Sequence, residues 1–425
     1  MWEEDKKKKL RRSLILIVII LVLTAGLIGA MLYNSKANAE KDEQLKVIYE
    51  EQKKAQGEAK QANLNTVIDA YNQDMETVKQ YLPGIVCWGD NLTSGSTGGI
   101  SYPNTLQKLI DENICALYDF RSTIDNADEY NSRVEWKDYK VSIPVVNMGC
   151  GQESCDTILG RNGAVPYVTS EDITIPSSCE PVEIKIKLKD GSSVYPLSDG
   201  DGGLNDVTIN GIQGKLTIDI ESYKSYVNNT YYFTRSEPGS ETFVESGTEV
   251  ISGASELYRD YIPVIFMGTY GGYNNVTELI AKEKEIIAHQ TNNSDRYIII
   301  GIYATNSGWD TALYNYSAIE AAMAQEFGNH YINLRKYLAS DAISDAGLTA
   351  TSTDKYQMQS GYVPDSLKSG EDKIQLKAVC YELLGKIVYE RMDQLGYFDE
   401  VTKELGIDEI REDMMLEQIK SSSVS

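Results

Sequence analysis

Four short stretches hold the residues whose types and spacing bear on chemistry. The first is Trp88-Gly89-Asp90-Asn91-Leu92-Thr93-Ser94. The second is Asn147-Met148-Gly149-Cys150-Gly151-Gln152-Glu153, continued by Arg161-Asn162-Gly163-Ala164. The third is Met267-Gly268-Thr269-Tyr270-Gly271-Gly272-Tyr273. The fourth is Val363-Pro364-Asp365-Ser366-Leu367, followed by Asp372-Lys373-Ile374-Gln375. Nucleophile types are present: Thr93, Ser94 and Ser96, with Cys87 and Cys150 beside them. Each needs a base to become reactive. The chain has 2 histidines, His289 and His330. One ends a helical pattern and the other opens a strand pattern, which puts both at the amino edge of a sheet. Asp90 and Asp372 remain, and a carboxylate of ordinary pKa matches a hydroxyl poorly. An amide at Asn91 is not a useful nucleophile, and Gln375 cannot take up a proton near neutral pH. These residue types favour capping, packing and recognition over covalent catalysis.

The elements that would position them follow an α/β rhythm. Apolar runs at 85–88, 143–147, 262–267, 297–302 and 331–333 read as strands, and helical patterns cover 102–117, 276–289 and 312–327. Such alternation predicts a mainly parallel sheet with helices on both faces. Ligands of an open parallel sheet sit at the carboxyl ends of its strands. That rule selects the loops after Trp88, Asn147 and Met267, and the late loop near Asp372. The amphipathic stretch 377–397 reads as the last core helix. Residues 166–256 break the rhythm. They are rich in β-branched residues and Gly turns, and read as a β-rich insertion, a small sandwich or barrel. Asp199, Asp201 and Asp206 within it lack EF-hand spacing and read as a solvated turn. No Cys-x-x-Cys pair exists, and neither a metal nor a cofactor is expected.

In their order and setting, the four stretches resemble the four blocks of the SGNH (GDSL-type) hydrolases. The resemblance covers most of 85–398. It implies a three-layer α/β/α flavodoxin-like parallel sheet and acyl-ester chemistry. In that chemistry a serine attacks, a histidine takes its proton and an aspartate orients the histidine. Backbone N–H groups, a glycine and an asparagine stabilise the oxyanion. Carried over position by position, Asn91 stands at the serine, Gly151 at the glycine, Tyr270 at the asparagine, Asp372 at the aspartate and Gln375 at the histidine. Gly151 and Asp372 alone keep the family residue. Losing one triad member typically costs about 10⁴–10⁶ in turnover. The resemblance therefore implies an esterase-like protein without intact catalytic residues. Trp88, Asp90, Asn91, Tyr270, Tyr273 and Gln375 would then line a binding surface for a cell-surface glycan, an acylated polymer or a partner protein. The alternative is an active surface esterase or deacetylase with a rearranged nucleophile.

Bulk properties set the surroundings. A formal charge of −23 argues against nucleic acid, whose binding is driven by Lys and Arg. Tyr outnumbers Phe 29 to 6, which suits aromatic surfaces with a polar tip, as in glycan contact. Residues 1–12 form a basic cytoplasmic tail. Residues 13–33, uncharged from Leu14 to Tyr33, read as a transmembrane helix, since 20 residues rise about 30 Å. The positive flank keeps the amino end cytoplasmic and places the C-terminal domain outside. Residues 34–82 read as a helical stalk with coiled-coil spacing, a route to oligomers, ended by Pro83-Gly84. Residues 83–400 form the hydrolase-like domain and 401–425 an acidic tail. Of the 6 cysteines, Cys150 with Cys155 is the only local candidate for a disulfide.

Overall fold

The computed structural model describes residues 22, 39–96, 98–115, 141–191, 206–218, 231–291, 295–303, 316–369 and 374–407. The chain divides into two units, 1–69 and 70–425. Helix α1 (Ala39–Tyr81, 43 residues) begins in the first. Its sequence lacks proline and is rich in Ala, Lys, Glu and Gln, which lose little freedom in a helix. It stops at Tyr81 because Pro83 cannot continue it. In the second unit Val78 and Leu82 are buried.

The second unit starts with β1 (Ile85–Gly89), a one-turn helix α2 (Asn91–Ser94) and α3 (Tyr102–Ile110). Strand β2 (Val145–Gly149) and α4 (Cys155–Asn162) follow. The chain then leaves this rhythm for nine short strands. They are β3 (Tyr167–Thr169), β4 (Ile173–Ile175), β5 (Val182–Ile184), β6 (Ile186–Lys187), β7 (Asp206–Ile209), β8 (Ile212–Ile218), β9 (Tyr231–Arg235), β10 (Thr242–Val244) and β11 (Glu249–Ser252). Seven of them form one antiparallel sheet in the order β5-β9-β8-β7-β11-β3-β6, while β4 and β10 pair separately. Its two edge strands, β5 and β6, are separated in sequence only by Lys185, so the sheet curls into a nearly closed barrel. Alternate residues point inward, as the strand period requires. Ile184, Ile209, Leu216, Phe233 and Val250 fill a core of its own.

A short helix α5 (Gly253–Leu257) returns the chain to β12 (Ile262–Phe266). Then come α6 (Val276–His289), β13 (Ile298–Ile300), α7 (Tyr316–Phe327) and β14 (Tyr331–Ile332). A small hairpin, β15 (Lys368–Ser369) with β16 (Gln375–Leu376), precedes α8 (Ala378–Gln394). The order β14-β13-β12-β1-β2 makes a five-stranded sheet with every neighbour parallel. All five residues of β1 are buried. Val86 and Trp88 enter a core with Cys155 and Ile158 of α4, Leu279 and Ile286 of α6, and Phe327 of α7. The strand period turns Cys87 to the other face, toward Tyr102 of α3, which packs with α8. The winding reverses beside β1, and sheets of this kind bind ligands outside the carboxyl ends of the strands at that point.

The two sheets correct the expected fold class. A single three-layer α/β/α flavodoxin-like sheet, the SGNH hydrolase fold with a β-rich insertion, does not describe the chain. The interval 166–256 builds a second sheet of seven strands, more than the parallel sheet has, around a separate core. The physical reason is the alternation just described, which gives those strands a buried face of their own. Among the described residues, no helix is long and apolar enough to cross a membrane. Helix α1 is long but polar. The segment 13–33 lies outside the described residues except for Val22.

A candidate binding cleft at the strand ends

Glycine ends both β1 and β2 because the turn α2 sits on top of them. A Cβ at Gly89 would stand 2.1 Å from the Thr93 hydroxyl, and one at Gly149 would stand 2.1 Å from the Ser94 nitrogen. The Cys150 N–H donates to the Gly89 carbonyl at 3.0 Å, tying the loops after β1 and β2 together. Asn147 shapes the second loop: its Oδ1 accepts from the Gly149 N–H at 2.9 Å and its Nδ2 donates to Ser101 Oγ at 3.3 Å.

Asp90 caps α2. Its Oδ1 accepts from the Leu92 N–H at 2.9 Å. Its Oδ2 has no hydrogen-bond partner among the described residues, and the residue is 0% exposed. Burial pushes this carboxyl up to about 7, against the pull of the Leu92 N–H and the Thr269 hydroxyl. Asn91, one residue on, is half-buried, and its Oδ1 accepts a short hydrogen bond from the backbone N–H of Gln152. Gln152 has φ 62°, a left-handed conformation uncommon outside glycine. Gly151 leaves ordinary space next to Asn91 Oδ1, since a Cβ there would lie 3.5 Å away.

A buried ion pair holds the second loop in place. Arg161 Nε lies 3.0 Å from Glu153 Oε1, and its terminal nitrogen donates to Glu153 Oε2 and the Met148 carbonyl, each at 2.6 Å. The guanidinium sits 5.2 Å from the centre of the Trp88 ring. Burial opposes the charge on Arg161, but Glu153 beside it keeps the guanidinium protonated. The third loop is tied to α4. The Cys155 N–H donates to the Gly271 carbonyl at 3.0 Å. Lys282 Nζ reaches Asp156, the Gly272 carbonyl and Glu278. On the fourth side, α2 packs against β16, which bears the half-buried Gln375.

The structure thus brings Asn91, Gly151 and Gln152 together, with Gln375 on the strand that α2 packs against. Tyr270 is half-buried on the third loop. Trp88 lies beneath the cleft rather than on its surface, at 1% exposure. Tyr273 packs on the same core as Trp88. Asp372 lies outside the described residues, as do Asp199 and Asp201. The candidate nucleophiles have other occupations. Thr93 is buried under the turn, Ser94 Oγ donates to the Asn91 carbonyl at 3.1 Å, and Ser96 Oγ accepts from the Ile100 N–H. Burial pushes the Cys87 and Cys155 thiols up, away from the thiolate. No disulfide joins Cys150 and Cys155; all six cysteines are thiols. His289 ends α6, a 14-residue helix that starts at the cleft side, so it stands about 20 Å away at 1.5 Å per residue. There it meets Ser255 Oγ at 3.1 Å. His330 stacks on Tyr297 just before β14, at the opposite edge of the sheet.

Two features of the cleft are not legible in the sequence. The Gln152 N–H is a backbone group, and no residue type announces where a backbone donor points. The full burial of Asp90 depends on how the third loop closes over it. Among the described residues no His, Cys, Asp and Glu cluster could hold a metal ion. No family model, no curated protein and no solved structure matches this chain.

Proposed function

We propose that the cleft is a non-hydrolytic recognition site for a glycan or an acyl-substituted polymer, in a protein similar to the SGNH hydrolases. One observation carries this reading: Asn91 Oδ1 accepts from the Gln152 N–H. In acyl transfer the Gly151 position would supply an oxyanion donor, and the Gln152 N–H is the next backbone donor on the same loop. Here the amide at the nucleophile position occupies the donor, and neither histidine is near. Amide groups at Asn91 and Gln375, with Tyr270 on the rim, suit hydroxyl and carbonyl recognition better than proton transfer.

The test is hydrolysis of a simple acetyl ester by the full chain, beside the triple variant Asn91→Ser, Tyr270→Asn, Gln375→His. The expected outcome is no turnover above background for the wild type. A wild type that hydrolyses the ester well above background overturns the proposal and returns Thr93, Ser94, Ser96 and Cys150 as nucleophiles to be tested. Turnover by the triple variant alone supports a scaffold that kept its shape and lost its reacting groups.

A further inference from the structure

We infer that the cleft reads the acetamido carbonyl of an N-acetylated sugar through the outward amide N–H groups of Asn91, an inference that rests on the glycan reading above and names its chemistry. The Asn91 side chain has one oxygen and one nitrogen at its tip, and the fold decides which faces where. Gln152 presents an N–H to it, and only an acceptor can face an N–H. Oδ1 therefore turns inward and Nδ2 turns away. Nδ2 has no hydrogen-bond partner among the described residues, and it is not sealed from solvent. An amide nitrogen donates and does not accept, so the group offered at this point of the cleft is a donor pair.

The same bond closes another option. A carbonyl entering the cleft cannot take the Gln152 N–H, because Asn91 fills it. Nδ2 is the donor that Asn91 leaves open beside it. A carboxylate would also accept from Nδ2, but a chain of formal charge −23 repels an anionic polymer. A neutral acetamido carbonyl meets both conditions. It is also a strict acceptor, whereas a sugar hydroxyl either donates or accepts.

That difference makes Asn91→Asp a clean test. The aspartate keeps an oxygen for the Gln152 N–H, so the local fold is retained. It replaces Nδ2 by a second oxygen, which repels a carbonyl and accepts from a hydroxyl. The probes are the β-1,4-linked tetramers of N-acetylglucosamine and of glucose, both neutral, titrated calorimetrically into the full chain. The wild type should prefer the N-acetylated tetramer by about tenfold, the scale of a well-placed hydrogen bond. Asn91→Asp should lose that preference, and Asn91→Ala should lose it without adding a charge. Equal binding of the two tetramers by the wild type, or a preference that survives Asn91→Asp, overturns the inference and leaves the glycan reading standing. Binding of neither tetramer overturns the glycan reading, and the inference with it.

Discussion

Replacing Asp90 by Asn should change how stability depends on pH, by an amount the structure fixes. The carboxyl is fully buried, and burial raises its pKa from 3.8 to about 7. The folded state therefore holds the proton more tightly than the unfolded chain. The stability this contributes is complete below the unfolded pKa and is lost as pH rises through the folded pKa. Holding the carboxyl at about 7 instead of 3.8 corresponds to about 4 kcal/mol, at about 1.4 kcal/mol for each tenfold change in proton affinity. Asparagine does not titrate, and its Oδ1 can still accept from the Leu92 N–H; it caps helices as well as aspartate does. Urea unfolding of both proteins at pH 4, 5, 6, 7 and 8, at constant ionic strength, isolates this one group, because the other titrations cancel in the difference. Wild type minus Asp90→Asn should fall by about 4 kcal/mol between about pH 4 and pH 7, at a limiting slope of about 1.4 kcal/mol per unit. A difference that stays flat across that range would refute the reasoning. It would mean that Asp90 ionises without cost and that the third loop does not seal it.

Two further predictions follow from buried charge. Arg161→Met should strip Glu153 of its partner and cost about 3–5 kcal/mol in thermal or urea unfolding, whereas the double variant Glu153→Leu, Arg161→Met should recover most of that loss. Equal losses in the single and double variants would show that the pair itself, not the orphaned charge, sets the stability. Glu283, on the buried face of α6, has both carboxylate oxygens without a partner among the described residues, and burial alone pushes its pKa well above the ordinary range. Its contribution is likewise lost as pH rises. Glu283→Met should therefore raise stability at pH 7.5 by about 1–3 kcal/mol and flatten the fall with pH, a result checked by the same urea titrations.

Local pattern determines a good deal of this protein. The apolar runs mark β1, β2, β12, β13 and β14 to within a residue or two, because a buried strand needs a short continuous apolar segment and a parallel connection needs a helix. The glycines at 89 and 149 are readable as strand ends, and the residue types at 91 and 375 speak against proton transfer by their chemistry alone.

Tertiary structure decides the rest. Strand periodicity says which residues of 166–256 share a face, but not which strands become neighbours. Near-closure depends on β5 and β6 reaching opposite edges of one sheet. The side chain of Trp88 had two faces to choose from, and the packing of Arg161 and α4 put it under the cleft. Asn91 and Gln152 are 61 residues apart, and their bond exists only because β1 and β2 pair in register, Gly89 beside Gly149. The buried carboxyl of Asp90 is of the same kind. Its pKa comes from the water that other segments exclude, and no neighbour in sequence encodes that exclusion.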